Sequence, residues 1–126
     1  LGLRFPEMLL VSSNWFQLPD KHQHFDEKGD HADEMETSLI LHLRPELVLP
    51  LEEAGEGKEK KSKIQGIREG WAWSERQWSM VTEDTGIGNP KAATKEKGER
   101  FFKVVTEKMA DLYIQLAEVG IKERYA

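Results

Sequence analysis

Gly29-Asp30-His31-Ala32-Asp33-Glu34-Met35-Glu36-Thr37-Ser38 brings one imidazole and four carboxylates together, then runs directly into the apolar Leu39-Ile40-Leu41-His42-Leu43. Acids at the start of a helix meet the positive end of its dipole. The spacing of Met35, Leu39, Ile40 and Leu43 predicts a helix over 33–44 with one buried stripe. His31 stands just ahead of that helix and Glu36 about one turn inside it, so the two side chains can face one point. Asp33, Glu34 and Glu36 cannot all converge, because neighbours one and two apart on a helix point in different directions. Imidazole and carboxylate are ligand types that zinc and manganese take. The plainer reading is that the acids are solvated dipole partners and His31 a structural histidine.

Upstream lies the polar stretch 17–28, which contains His22, His24 and Asp26. In an extended segment His-x-His puts both rings on one side, so a small metal module built on His22, His24 and His31 stands beside the solvated-loop reading. Before it, Met8-Leu-Leu-Val-Ser-Ser13 is an apolar run bounded by Pro6 and Asn14 and predicts a buried strand. Trp15-Phe16 follows. At the C-terminal end of a parallel strand Trp15 is either packing or the wall of an active-site pocket. Leu1–Pro6 reads as a connection.

Downstream, Pro45-Glu-Leu-Val48 forms a short turn that Pro50 ends. Residues 52–63 carry mixed charge and no apolar anchor, and predict a mobile surface loop. Residues 64–80 hold Trp71, Trp73 and Trp78. Trp71-Ala72-Trp73 suits an extended arm with both rings on one face, serving either a subunit contact or the core. Asn89-Pro90 makes an N-cap and first-turn pair for a last helix over 91–119, with Phe101, Val105, Met109, Leu112 and Leu116 as its stripe. Gly98 within it costs roughly 1 kcal/mol against alanine, which implies close approach of another backbone. Gly120 stops the helix.

The 126 residues allow one modest domain. Net charge is −5, with no basic patch of the kind that nucleic acid selects, and acidity argues against anionic membranes. The longest apolar runs are far below a membrane span. The absence of cysteine excludes disulfides and thiolate metal sites and fits a reducing, cytoplasmic setting. A first residue of Leu1 suggests a trimmed, split or incomplete product.

His31-Ala-Asp-Glu-Met-Glu36-Thr37-Ser38, followed by Leu43-Arg-Pro45-Glu-Leu-Val48, resembles the His-Ala-Gly-Glu-x-Glu-Thr-Ser…Leu-Arg-Pro-Glu-Leu-Val signature of the creatininase (creatinine amidohydrolase) family. Thr85-Gly-Ile-Gly-Asn-Pro-Lys-Ala-Ala-Thr94-Lys-Glu-Lys-Gly98-Glu-Arg is similar to the Gly-(Asp/Asn)-Pro-x-x-Ala-(Thr/Ser)-x-x-Lys-Gly-Glu segment that opens the family's last helix. Asp33 departs from the pattern by standing where many members have glycine, which adds a charge and questions the local backbone shape.

The resemblance implies an α/β protein with a three-layer α/β/α creatininase-like fold. Residues 1–126 would be a single domain portion supplying the C-terminal part. Two helix stripes and one clear strand need a sheet to cover, so the chain is expected to require the missing N-terminal half or a partner chain. Also implied is metal-dependent hydrolysis of a non-peptide, often cyclic, C–N amide bond in a small-molecule substrate. The cofactor would be a pair of divalent metal ions, Zn/Mn or Fe, liganded mostly by residues that this chain lacks. By the same resemblance His31 is the proton-transfer residue, Glu36 a metal ligand or a residue just behind the metal shell, and Trp15 and Asp30 shape the substrate pocket. A histidine ordinarily titrates near neutrality and suits protonation of a leaving nitrogen. A homo-oligomer, a hexamer, is expected too. The contrasting reading is a non-catalytic homologue or assembly subunit that keeps the fold without a complete metal site.

Overall fold

Two helices carry the packing, and their N-terminal turns meet. The computed structural model describes residues 3–120 and 123–125, so Leu1 and Gly2 of the expected connection lie outside the described residues. The elements are α1 (Glu34–Leu43), the single-turn helices α2 (Gln65–Arg68) and α3 (Trp78–Val81), and the long α4 (Lys95–Glu118). Short 3₁₀ turns at Trp15–Gln17, Pro19–Gln23, Pro45–Leu47, Leu51–Glu53 and Pro90–Ala92 link them.

The first helix forms as its sequence predicts. The Asp33 carboxylate caps it by accepting the Glu36 amide at 2.9 Å. Asp33 has φ −87° and ψ −172°, ordinary extended backbone, so the position does not require glycine. The left-handed conformation falls instead on Ala32, at φ 47°.

Helix α4 begins later than expected. Pro90–Ala92 is a separate 3₁₀ turn, in which the Asn89 side chain accepts the Lys91 amide. The chain then extends, and the Thr94 hydroxyl caps α4 by accepting the Lys97 amide at 3.2 Å. Proline's preference for a first helical turn is satisfied within the 3₁₀ turn, and threonine at 94 starts a new helix.

The core is small. Phe101 is fully buried and meets Phe25 edge-on at 5.1 Å between ring centres, with Met35 and Leu39 around them. Gly98 has the role its position implies: a Cβ there would overlap the Ser38 carbonyl oxygen, so α1 and α4 touch backbone to backbone. Both stripes are narrower than predicted. Ile40 and Leu43 of α1 are exposed, and beyond Phe101 the stripe of α4 is at most half-buried.

No strand of more than one residue occurs among the described residues; the one β-bridge pairs His31 with Ile87 in antiparallel fashion. The strand predicted at 8–13 is therefore absent. Met8, Leu9, Leu10 and Val11 are exposed, and their segment makes no ladder hydrogen bonds. An apolar run becomes a strand only when a second backbone supplies its donors and acceptors. The sheet of a three-layer arrangement is correspondingly not found within the described residues.

Two other expectations change. The charged segment 52–63 is anchored: the Lys60 amide donates to the Val81 carbonyl at 2.7 Å, and the Gly57 carbonyl accepts the Gly88 amide at 3.0 Å. The arm at 71–73 forms neither strand nor core, since Trp71 and Trp73 are both exposed. No described helix is long and apolar enough to cross a membrane.

Candidate active site

The acidic stretch divides its side chains among different neighbours. Glu34 turns inward and is fully buried. Its carboxylate accepts the Glu27 amide at 2.7 Å and pairs with the Lys97 ammonium at 2.5 Å. Lys97 also reaches Asp26 at 2.8 Å and the Ala92 carbonyl at 2.9 Å. Asp26 first, and Glu34 after it, hold the Lys97 ammonium above its ordinary value of 10.5, and the same contact holds the Asp26 carboxyl below its ordinary 3.8. The Ser38 hydroxyl accepts the Thr94 amide at 3.2 Å. Through these contacts the two motif segments fix each other in place.

Glu36 faces the other way. One of its oxygens accepts the Ala32 amide at 2.6 Å, closing the cap of α1 from its second side. It lies on the wall of an open, mostly apolar pocket of about 530 Å³, with Ile40, Leu47, Leu49, Leu51 and Pro90. His31 is not among the residues of that wall, although its neighbour Ala32 is.

His31 is held at its backbone and packed at its ring. Its carbonyl accepts the Ile87 amide at 2.8 Å, and the Ile87 carbonyl accepts the Asp30 amide at 2.8 Å and the His31 amide at 3.3 Å. Ile87 is presented by a loop that the Asp84 carboxylate organises, accepting the Gly86 amide at 3.0 Å and the Gly57 amide at 3.3 Å. Those amides hold the Asp84 carboxyl below its ordinary 3.8. Gly88 completes the turn at φ 130°, where a side chain would meet Asp33 and Gly29. The His31 imidazole packs against Trp78 at 4.7 Å between ring centres, tilted by 52°. Its Nδ1 is buried without a protein hydrogen-bond partner, whereas Nε2 is not closed off in this way.

The chain belongs to the creatininase family. It matches that family, described as creatinine amidohydrolase, over residues 4–113, a span that holds both docked motifs. It is also similar to the crystal structure of a "Putative creatinine amidohydrolase" from Bacteroides fragilis NCTC 9343, with 40% identity and a TM-score of 0.83. That match covers 99% of this chain and 48% of the other, so the chain spans about half the length of that solved relative. No curated protein matches it. The creatininase-like fold thus rests on sequence and on shape together.

The remaining candidates occupy defined places. The Asp30 carboxylate pairs with Arg76. Trp15 lies beside the groove between α1 and α4, an apolar hollow of about 290 Å³ that it lines with Leu39, Leu43, Phe102 and Val105. The ring of His24 rests on Phe101 at 5.4 Å and His22 is exposed, so the histidine metal module is not assembled. Among the described residues no group of three or more His, Cys, Asp or Glu side chains is placed to hold a metal ion. Trp78 and Arg76 were not singled out by sequence reading as neighbours of His31. They are distant from it along the chain, and no local spacing signals the contact.

Proposed function

We propose that this creatininase-family chain is part of a metal-dependent amidohydrolase that opens a non-peptide, often cyclic, C–N amide bond in a small-molecule substrate. The observation that carries the reading is the family match over residues 4–113, which includes His31. In this reading His31 delivers a proton to the leaving nitrogen, and Nε2 is the candidate atom because Nδ1 is buried. The same reading assigns Asp30 and Trp15 to the substrate pocket; Asp30 directly precedes His31 and pairs with Arg76, whereas Trp15 lines the hollow between α1 and α4.

The cofactor in this reading is a pair of divalent ions, Zn/Mn or Fe. The described residues do not fit such a pair on their own, because they supply no cluster of donors. Glu36 is the one donor that the chain would contribute. One of its oxygens serves the cap, and no hydrogen bond engages the other. The other donors would come from the remainder of a three-layer α/β/α domain, of which this chain is the C-terminal part, or from a partner chain. A cytoplasmic homo-oligomer, a hexamer, belongs to the same reading.

The test is His31→Asn in the protein as it occurs in the cell, assayed for hydrolysis of creatinine and for bound metal. Turnover should vanish while metal content stays nearly intact. Surviving turnover would remove the proton-transfer role from His31.

A second reading is a non-catalytic homologue or assembly subunit. It draws on the local engagement of the carboxylates: Asp30 is paired with Arg76, and Glu36 closes a helix cap.

A further inference from the structure

The Trp78 ring packs against the His31 ring, 4.7 Å between centres and tilted by 52°. Three contacts tie that tryptophan to the histidine's own backbone. The Arg76 guanidinium lies over the Trp78 ring, 4.7 Å from its centre. The same guanidinium pairs with the Asp30 carboxylate. Asp30 and His31 are consecutive, and both donate their amides to the Ile87 carbonyl. The result is a closed circuit: imidazole to indole, indole to guanidinium, guanidinium to carboxylate, and carboxylate back along one peptide unit to the imidazole. A ring packed this way loses freedom about its side-chain torsions, because turning it would separate it from the indole and expose the apolar face of Trp78. Nδ1 is buried without a hydrogen-bond partner, so the described contact that orients the ring is its packing on the indole.

We propose that Trp78, with Arg76 held against it by Asp30, is a positioning residue for His31 that fixes the orientation of its ring. This rests on the reading of His31 as the proton-transfer residue. Asp30 then also acts on the reaction through Arg76 and Trp78. Proton transfer requires the donor atom within hydrogen-bond reach of the acceptor, and a misplacement of about 1 Å can cost on the order of a hundredfold in rate.

The experiment is ¹H–¹⁵N and ¹H–¹³C NMR of the His31 ring in the native protein and in Trp78→Phe, Trp78→Ala and Arg76→Ala, with creatinine turnover measured on the same samples. In the native protein the His31 ring protons should show a ring-current displacement from ordinary histidine positions. Phenylalanine should keep part of it. Alanine at 78 should abolish it, and alanine at 76 should reduce it while the amide signals of His31 and Ile87 stay in place. The same order should appear in kcat, with a loss of about tenfold or more for Trp78→Ala, a smaller loss for Trp78→Phe, and little change in KM. Ring signals of His31 that do not move in either Trp78→Ala or Arg76→Ala would overturn the proposal. Should Trp78→Ala not fold, Arg76→Ala and Trp78→Phe decide it, since Arg76 is exposed and phenylalanine keeps a ring. If His31→Asn remains active while the ring signals respond as expected, the proton-transfer reading fails and the positioning contact stands. If His31→Asn is inactive but Trp78→Ala turns over normally, the positioning role fails alone.

Discussion

Glu34 and His31 lie three residues apart and sit in opposite kinds of environment. Glu34 is a buried carboxylate with all its contacts made: an ammonium from α4 and a backbone amide. His31 is half-buried, with its ring packed on Trp78 and its Nδ1 buried without a hydrogen-bond partner. The first arrangement fixes the junction of two helices and offers nothing to a ligand. The second leaves the imidazole without a side-chain hydrogen bond among the described residues and leans on Trp78, outside both motifs. Within one family motif, then, Glu34 serves the junction of the two helices, while the His31 ring packs on a residue outside both motifs.

Substitutions should separate these two arrangements. The largest effect is expected for Lys97→Met, which leaves the Glu34 carboxylate buried without a counter-charge. Removing one partner of a buried pair costs about 3–5 kcal/mol, readable as a lowered midpoint in urea unfolding. The pH dependence has a definite sign. The folded-state value of Lys97 is raised above 10.5, so its contribution is intact at lower pH and is lost as pH rises through that raised value. Asp26 is lowered below 3.8, so its contribution is lost as pH falls through the lowered value. Midpoints measured against pH should show an alkaline decline in the native protein that is missing in Lys97→Met.

Gly98→Ala comes next. The added methyl overlaps the Ser38 carbonyl, and α1 and α4 must separate. Overpacking of this kind costs about 1–3 kcal/mol, which outweighs the roughly 1 kcal/mol that alanine gains in helix propensity. A rise in thermal midpoint would mean that the helices do not meet at this glycine. The smallest effect on stability is expected at the His31 side of the comparison. Asp30→Asn removes an exposed pair and should change stability by about 1 kcal/mol or less. A loss as large as that of Lys97→Met would mean that the two regions share one structural role.

Local signals are legible in the sequence: the helix over 33–44 and the close approach at Gly98 follow from spacing and side-chain type within a few residues. The Asp33 cap and the Glu36 contact with the Ala32 amide emerge only in the structure. Pairings across the chain were not available to such reading. Nothing near Glu34 indicates that Lys97 will neutralise it, and nothing near His31 points to Trp78. The start of α4 was misplaced because Pro90 carries a true helical-turn preference that a 3₁₀ turn satisfies equally. The strand at 8–13 failed for a different reason: its apolar pattern describes a face, whereas a strand also needs a neighbouring backbone, and none pairs with it among the described residues. Exposed Met8, Leu9, Leu10 and Val11 fit the reading that further polypeptide completes this fold.

The proposed function places His31 and Glu36 in a metal-dependent hydrolytic site that the described residues do not complete on their own. Native mass spectrometry of the protein purified from its own cells, with the denatured mass and metal content measured in parallel, tests it most directly. The expected result is an assembly that contains polypeptide beyond this chain and about two divalent ions per site. Two ions retained by the 126-residue chain alone, or an assembly that hydrolyses the amide while free of metal, would contradict it.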